Sequence, residues 1–206
     1  EQELGEESLK EYTQIIINEA DRLQNLMNRM LTPHQMPVYK KTNIHEILER
    51  VRSLILSEFT SDINFIRDYD VSLPEFIVDR EKLIQAILNI ARNGAQAMKL
   101  NNQDNMQLSF ITRAERQIVF RKKKHATAIR IDIIDNGPGI KNELIDKIFF
   151  PLVTGNENGS GLGLSLAQNL ISLHQGMIDC HSVPGKTVFS IILPIENNLT
   201  PTKEKK

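Results

Sequence analysis

The first segment of the chain places apolar residues at helical spacing. From Glu6 to about Leu31 an apolar residue recurs every three or four positions, which predicts one amphipathic helix. Its apolar positions are Leu9, Tyr12, Ile16, Ala20, Leu23, Met27 and Met30. This face is expected to pack in one of two ways. It packs on a partner, such as another protein, a second copy or a further segment, or it packs on the domain that follows. Pro33 and Pro37 break the pattern, so residues 1–36 are expected to form a helix and a linker.

Two further helices are predicted downstream. Asn43 stands three residues before Glu46, a pattern similar to a capping box, and the helix that it starts should run to about Phe59. The next helix should begin after Asp79, a residue suited to cap it, and should bury one apolar face in a core. That face carries Leu83, Ile84, Ile87, Leu88, Ile90 and Ala91.

Strands are predicted where β-branched and aromatic residues alternate or cluster. These segments are residues 63–69, a short strand ending near Asp79, and residues 106–112, 117–120, 126–134, 177–183 and 187–193. The last two meet at Pro184 and Gly185, a hairpin signal. Helices and strands that mix without strict alternation favour an α+β two-layer sandwich over a doubly wound parallel sheet. The domain should span residues 37–194, and the polar residues 195–206 should form a flexible tail.

Composition and charge narrow the function classes. A chain of 206 residues with 40% hydrophobic and 25% charged residues is typical of a globular protein. It has no apolar run near the roughly 20 residues that span a bilayer and no secretory signal, so we expect a cytoplasmic location and no membrane partner. The net charge is −1, and the basic run at residues 121–124, expected in a loop, does not predict a nucleic-acid partner. The single cysteine, Cys180, excludes an internal disulfide.

Two asparagines on the helix predicted to begin after Asp79 are candidate metal ligands. Asn89 and Asn93 lie four positions apart, so both amides share one helix face. An amide oxygen is a neutral, hard ligand that suits a Mg²⁺ ion already bridged by phosphates. Asparagine pairs are also common on exposed helix faces, so this pair alone is weak evidence.

An aspartate at a strand end is a candidate for recognising a base. Asp135 opens an Asp-Asn-Gly-Pro-Gly segment directly after a predicted strand. Its carboxylate can accept a hydrogen bond from an adenine amino group, and Gly137 and Gly139 let the backbone approach a flat base. The same residue types are the usual turn formers, so in isolation a plain turn explains them equally well.

A glycine-rich loop supplies a candidate phosphate site. It runs from Gly159 to Leu164 and opens into a helix predicted over residues 165–174. Backbone N–H groups and the positive end of a helix bind phosphate without a lysine, and the spacing fits neither a Walker A loop nor a dinucleotide fingerprint. The preceding Phe149 to Pro151 offers an aromatic anchor, and residues 154–158 suit a mobile lid or an ordinary surface loop.

Taken in order, these segments resemble the N, G1, F and G2 boxes of the sensor histidine kinase catalytic domain, with Phe149 to Pro151 as the F box. The resemblance covers residues 37–194 and implies a Bergerat-type fold that binds ATP and Mg²⁺. It implies that Asn93 ligates the metal, that Asn89 supports metal and phosphates, and that Asp135 reads adenine. The other implied contacts are Gly137 and Gly139 with the base, Gly161, Leu162 and Gly163 with the phosphates, and Thr187 with the adenine side through water.

The same resemblance implies that the phosphoacceptor is missing. In that family it is a histidine followed by an acidic residue and, a few positions later, a proline, on the first helix of a dimerisation hairpin. None of the five histidines fits this pattern; they are His34, His45, His125, His174 and His181. We therefore expect residues 1–36 to hold the second helix of that phosphoacceptor hairpin, truncated upstream, and we expect the chain to be unable to phosphorylate itself.

A narrower resemblance points to the nitrogen-regulation branch of the family. It rests on Arg67 to Asp70 with Leu73 and Pro74, and on Phe149 to Val153 leading to Gly155. It implies relay of the phosphoryl group to a response regulator of that branch. It also implies control by a PII-type signal protein and a homodimer formed by the full-length kinase.

Some positions depart from the family pattern and leave alternatives open. Gln96 occupies a position that is often basic in the family, and the F box lacks an arginine. The phosphate-contacting cation is therefore unassigned, with Arg92 and Lys99 as candidates. A GHKL-type ATP hydrolase is an alternative function, although Asn89 stands where such an enzyme needs a carboxylate to activate water. A nucleotide-sensing protein-binding module is a third.

Overall fold

A computed structural model of the chain describes residues 37–59, 63–120, 123–155 and 160–195. The chain divides between Met36 and Pro37, and every described residue belongs to the second part. The helix predicted from Glu6 to Leu31 and residues 196–206 of the predicted tail lie outside the described residues. The domain roles given to these segments stay predictions.

The described residues form seven strands and four helices. The strands are β1 (Tyr39–Thr42), β2 (Ile63–Asp68), β3 (Phe76–Asp79), β4 (Met106–Phe120), β5 (Lys123–Asp135), β6 (Met177–Val183) and β7 (Lys186–Pro194). The helices are α1 (Ile44–Glu58), α2 (Arg80–Leu100), α3 (Asn142–Ile145) and α4 (Gly163–Leu173). Within this part of the chain, no helix is both long and apolar enough to cross a membrane.

Five strands form one mixed sheet in the order β2-β4-β5-β7-β6. Strand β2 runs parallel to β4, and the other neighbours are antiparallel, while β1 and β3 form a separate antiparallel pair. Side chains alternate between the two faces of a strand, and one face of this sheet is buried with the helices in a single core. The sheet contributes Leu108, Phe110, Ile131, Ile133, Phe189 and Ile191 to that core. The predicted α+β two-layer sandwich is confirmed.

The two long helices begin where their caps predict. The Asn43 side chain accepts a hydrogen bond from the His45 N–H at the start of α1, and Asp79 accepts one from Lys82 N–H at the start of α2. Each cap satisfies a backbone donor that has no partner inside the helix. The apolar stripe predicted for α2 is buried at Leu83 and Ile87. Cap and stripe together fix the direction and the rotation of the helix that carries both candidate asparagines.

The sheet differs from the prediction at its long hairpin. Residues 106–112 and 117–120 are one continuous strand, and Lys123 and Lys124 belong to β5 rather than to a loop. Phe120 pairs with Lys123 and Val119 pairs with Lys124, so cross-strand pairing outweighs the low strand preference of lysine. Strand β1 was not predicted either, because Tyr39 to Thr42 becomes a strand only through its pairing with β3.

Candidate functional site

The amides of α2 face the start of α4. Asn89 and Asn93 lie one turn apart on α2, and a Cβ atom added at Gly163, the first residue of α4, would stand 3.7 Å from both Oδ1 and Nδ2 of Asn93. The same position lies 4.0 Å from the Cβ of Asn89. Two segments separated by about 70 residues of sequence are thus brought within one ligand's reach, as the shared helix face and the glycine loop predict.

Some hydrogen-bond donors at this junction have no partner within the described part of the domain. The side-chain nitrogen of Asn89 is buried and has no hydrogen-bond partner in the structure, and such a group normally has one. Helix α4 begins without a side-chain cap at Leu162, so its first backbone N–H groups point out of the helix end. Open donors beside a helix N-terminus are the features that a phosphate group binds.

The donor set at the junction also fits a magnesium ion carried by phosphates. The described residues contain no group of three or more His, Cys, Asp or Glu side chains that could hold a metal on their own. The amide oxygens of Asn89 and Asn93 are neutral ligands, and the negative charge that Mg²⁺ requires would come from the nucleotide. These two residues are therefore the ones that would hold the ion.

Asp135 lies buried at the end of β5. It is 6% exposed and stands between Leu108 of β4 and Thr187 of β7 in the register of the sheet. Burial raises the pKa of this carboxyl, and the N–H of Gly137, which donates to Oδ1 at 2.9 Å, partly offsets that rise. The remaining lone pairs of the carboxylate can accept a hydrogen bond from the amino group of a base.

Two glycines make the space that the Asp135 carboxylate occupies. A Cβ atom at Gly94 would lie 2.9 Å from Oδ2 of Asp135, and one at Gly137 would lie 2.8 Å from Oδ1. The expectation for Gly137 named the base as its neighbour, whereas the structure also gives it this role against the carboxylate. Gly94 was missed by the motif analysis. Its signal was a glycine inside a helix, which costs roughly 1 kcal/mol relative to alanine and so indicates a packing reason.

Gly139 and Thr187 connect the Asp135 segment to the β6–β7 hairpin. Gly139 has a positive φ of 84°, and a Cβ there would lie 2.9 Å from the backbone carbon of Val183, so this position requires glycine. Thr187 is 3% exposed, and its hydroxyl shares a 2.9 Å hydrogen bond with the Ser182 hydroxyl. Ser182 also accepts the N–H of Ile140 at 2.9 Å. These bonds fix the segment next to Asp135 against the sheet.

Gly161 and Leu162 connect the glycine loop to the end of the F box. Gly161 has a φ of 63°, and a Cβ there would lie 2.5 Å from the backbone carbon of Leu152. The N–H of Leu152 donates to the Gly161 carbonyl at 3.0 Å. This position therefore requires glycine, because the backbone of Leu152 passes against it. Leu162 follows Gly161 and directly precedes α4. Residues 156–158 of the predicted lid lie outside the described residues.

The two candidate cations point away from this junction. Arg92 Nε lies 2.8 Å from a carboxylate oxygen of Glu58, and Lys99 Nζ stands 5.8 Å from the centre of the Phe59 ring. Both partners belong to the end of α1. Both side chains lie on the face of α2 that packs on α1, so the structure favours neither of them, and the phosphate-contacting cation stays unassigned.

Known proteins and a family model match the folded domain of this chain. A family model described as histidine kinase-, DNA gyrase B-, and HSP90-like ATPase matches residues 78–197. The chain therefore belongs to this ATPase family, and its folded domain is an ATP-binding domain. Within the family, the chain is similar to proteins named sensory histidine kinase/phosphatase NtrB. The one from Vibrio alginolyticus is 47% identical over 195 residues, which cover 95% of this chain and 55% of that protein.

Other relatives and solved structures agree with this placement. NtrB of Escherichia coli O157:H7 is 45% identical over 193 residues, covering 93% of this chain and 54% of that protein. The chain thus spans about half the length of the curated relatives it matches. Histidine kinase ThkA in complex with the response regulator protein TrrA matches with a TM-score of 0.65 and 25% identity, covering 91% of this chain and 51% of that one. A mycobacterial sensor histidine kinase, MprB, shares the fold with a TM-score of 0.62 and 21% identity, covering 75% and 97%.

Proposed function

We propose that this chain is the catalytic, ATP-binding part of a nitrogen-regulation sensor histidine kinase of the NtrB type. It would donate the γ-phosphoryl group of ATP to a histidine on a separate helical hairpin. The observation that carries this proposal is the junction of Asn93 with Gly163, where an unpartnered amide of Asn89 stands beside an uncapped helix end. Phosphoryl transfer depends mainly on positioning and charge neutralisation; these groups would position the phosphates and the Mg²⁺ ion that neutralises their charge.

Each site residue has a proposed role at this junction. Asn93 ligates Mg²⁺ and Asn89 supports metal and phosphates; the ion would neutralise charge on the phosphates. Asp135 accepts a hydrogen bond from the adenine amino group, which discriminates adenine from guanine. The supporting contacts are Gly137 and Gly139 beside the base, Gly161, Leu162 and Gly163 beside the phosphates, and Thr187 on the adenine side through water.

The acceptor in this proposal is not one of the described histidines. His174 is 1% exposed, and Nε2 of His45 lies 3.1 Å from the Thr112 hydroxyl. His125 is followed by Ala126 and His181 by Ser182, so neither has the acidic neighbour of the family's acceptor. We therefore place the acceptor on the phosphoacceptor hairpin of a full-length kinase. Hydrolysis should be slow, because Asn89 occupies the helix position of a general base and an amide cannot accept the proton of water.

The proposed partners follow from the same assignment. Its support is the similarity to NtrB proteins and to ThkA, which was solved in complex with a response regulator. The phosphoryl group would pass from the hairpin histidine to an NtrC-like response regulator in the cytoplasm. A PII-type signal protein would control the transfer, and the full-length kinase would be a homodimer.

A mixing experiment tests the proposal. The chain is incubated with Mg²⁺ and γ-³²P-labelled ATP, with or without a purified hairpin that carries the phosphoacceptor histidine of an NtrB relative. We expect label on the hairpin only, in an acid-labile and base-stable form, and none on the chain. Matched controls are a hairpin with that histidine replaced by glutamine, and the Asp135→Asn chain, which should transfer far more slowly.

Two results would contradict the proposed function. If wild-type chain binds ATP but labels no hairpin, the chain is not a histidine kinase of this type. If inorganic phosphate appears rapidly in the absence of any hairpin, the hydrolase alternative is favoured instead.

A further inference from the structure

Helices α2 and α4 lie side by side in opposite directions. Near the middle of α2, Asn93 faces Gly163 at the start of α4. At the other end, the backbone N–H of Asp79, the cap of α2, donates to Nε2 of His174, the residue that ends α4, at 3.0 Å. The 11 residues of α4 span about 16 Å at 1.5 Å per residue. The two helices that hold the nucleotide junction are thus joined at their far ends by one hydrogen bond.

The His174 ring can make this bond in only one protonation state. Its Nε2 accepts from a backbone N–H, and its Nδ1 lies 2.7 Å from the carbonyl oxygen of Leu170. A carbonyl only accepts, so Nδ1 carries the proton and the ring is neutral. A second proton would place an N–H of the ring against the N–H of Asp79, and at 1% exposure water cannot satisfy either group.

The Asp79 carboxylate extends the same junction to the entry of the domain. Its Oδ1 accepts the Lys82 N–H at 3.1 Å, and its Oδ2 accepts the Val38 N–H at 2.9 Å. Tyr39, the next residue, meets the His174 ring edge-on with centroids 6.0 Å apart. The start of β1, the start of α2 and the end of α4 are therefore connected through Asp79 and His174.

We propose that His174 is a positioning residue for nucleotide binding. In its neutral form it joins the end of α4 to the cap of α2 and so sets the separation of Asn93 and Gly163 at the opposite end of the pair. This inference rests on the proposed function in one respect, that the nucleotide phosphates lie between these two residues. His174 itself touches no nucleotide, so its effect on binding is transmitted by the two rigid helices.

The charges around the ring give the junction a pH dependence. Three elements present titratable groups to it: Asp79 from β3 favours the charged ring, Lys82 from α2 opposes it, and Tyr39 comes from β1. Burial is the largest influence and lowers the pKa of His174 below its ordinary value. A histidine whose pKa is lowered in the folded state gives its full contribution to the stability of the folded domain above its ordinary pKa of about 6.5. That contribution is lost as the pH falls from there through the folded-state value.

Two substitutions separate positioning from simple stability. His174→Gln offers Asp79 an acceptor oxygen that does not titrate, whereas His174→Leu fills the space and leaves the N–H of Asp79 without a partner. His45→Gln is the matched control, because His45, at the start of α1, is a partly buried histidine whose Nε2 lies 3.1 Å from the hydroxyl of Thr112 on β4. The affinity for a non-hydrolysable ATP analogue in the presence of Mg²⁺ is measured by calorimetry at pH 7.5 and 5.5. The thermal unfolding midpoint is measured on the same samples.

At pH 7.5 we expect His174→Leu to weaken binding about tenfold, as expected for a lost buried hydrogen bond, and His174→Gln to stay within about threefold of wild type. The affinity of wild type should fall more steeply towards pH 5.5 than that of His174→Gln, a comparison that cancels the titration of the nucleotide. His45→Gln should follow wild type at both pH values.

Other outcomes overturn the inference. If His174→Leu lowers the midpoint and leaves the affinity unchanged, the residue is only structural. If His174→Leu does not fold, equal pH profiles for wild type and His174→Gln overturn the inference by themselves. If wild type binds no nucleotide at either pH, the proposed function fails as well, which is a different result from an unchanged affinity.

Discussion

The proposed role of Asp135 places two opposing demands on its carboxylate, which should be charged to accept a hydrogen bond from adenine and yet is buried. Asp135 is 6% exposed, and its carboxylate accepts a hydrogen bond from the N–H of Gly137. Burial raises the pKa of the carboxyl, which means that the charged form is less stable in the folded domain than in the unfolded chain. The domain thus carries a destabilised charge that a nucleotide amino group can relieve.

Replacing Asp135 by asparagine should separate these demands. Nucleotide affinity should fall by about 1.5–3 kcal/mol, roughly ten- to a hundredfold, because an amide N–H₂ would face the adenine amino group where a charged acceptor stood. The nucleotide-free domain should become more stable at pH 7. Since the folded-state pKa is raised, that gain should shrink as the pH falls through the raised value, and it should be gone once the pH is below the ordinary aspartate value of about 3.9. Calorimetry and denaturant unfolding measure the two effects.

Asp132 provides the matched control for this change. It lies on the opposite face of the same strand, where its carboxylate accepts hydrogen bonds from Arg130 and Ser190. Asp132→Asn should alter nucleotide affinity little. Equal losses of affinity in the two variants would show that Asp135 acts through the strand and not through the base.

The sequence motifs contain most of the residues that meet in the structure, but they do not reveal all of the contacts between them. Asp135 and Asn93 belong to short patterns whose chemistry is visible in sequence, and the structure brings Asn93 to Gly163 as expected. Gly94 escaped because its role depends on how closely Asp135 approaches α2, a distance that sequence does not contain. Gly161 was expected to contact phosphate, while the structure also shows it crossing the backbone of Leu152.

At the scale of elements, α2 divides its surface between two tasks. One face packs Arg92 and Lys99 against α1, and another presents Asn89 and Asn93 to the start of α4. The apolar stripe and the Asp79 cap determine this rotation, so the direction in which the two amides face was predictable from sequence. The placement of the two cations was not, because their partners come from the end of a different helix.

Removing the Asn93 amide should remove most of the contribution of magnesium to nucleotide binding. Asn93→Ala should bind ATP in EDTA about as well as wild type does. On adding Mg²⁺ it should lack most of the gain in affinity that wild type shows, a loss of roughly tenfold or more for a ligand to a charged group. Gln96→Ala, on the exposed side of α2, should retain the full gain. Asn93→Ala retaining it too would remove Asn93 as a ligand.

Strands were predictable from sequence where buried and exposed residues alternate. They were not predictable where pairing with a neighbouring strand alone determines that a segment is extended. Strands β6 and β7 came within one residue of their predicted bounds, since a Pro-Gly turn separates two alternating segments. The outer half of the β4–β5 hairpin is polar and basic, and it is a strand because its two arms pair with each other up to Phe120 and Lys123. Pairing between the two arms of a hairpin leaves no periodic apolar signal in either segment.

At the scale of the whole domain, the sheet order is what assembles the site. Strand β5 lies between β4 and β7, so Asp135 stands beside Thr187 although about 50 residues separate them. Packing of α2 and α4 on the same face brings Gly94 to Asp135 and Gly163 to Asn93. The family resemblance anticipated that these groups converge, and only the topology shows which contacts achieve it.

The central claim is that these segments form a single nucleotide site, and an NMR titration tests it most directly. ¹⁵N-labelled chain is titrated with Mg²⁺ and a non-hydrolysable ATP analogue, and backbone amides are followed individually. We predict that Gly94, Gly137, Gly163 and Thr187 shift together along one saturation curve with a common dissociation constant. Shifts confined to one of these segments, or distinct dissociation constants for the Gly137 and Gly163 amides, would contradict a single site.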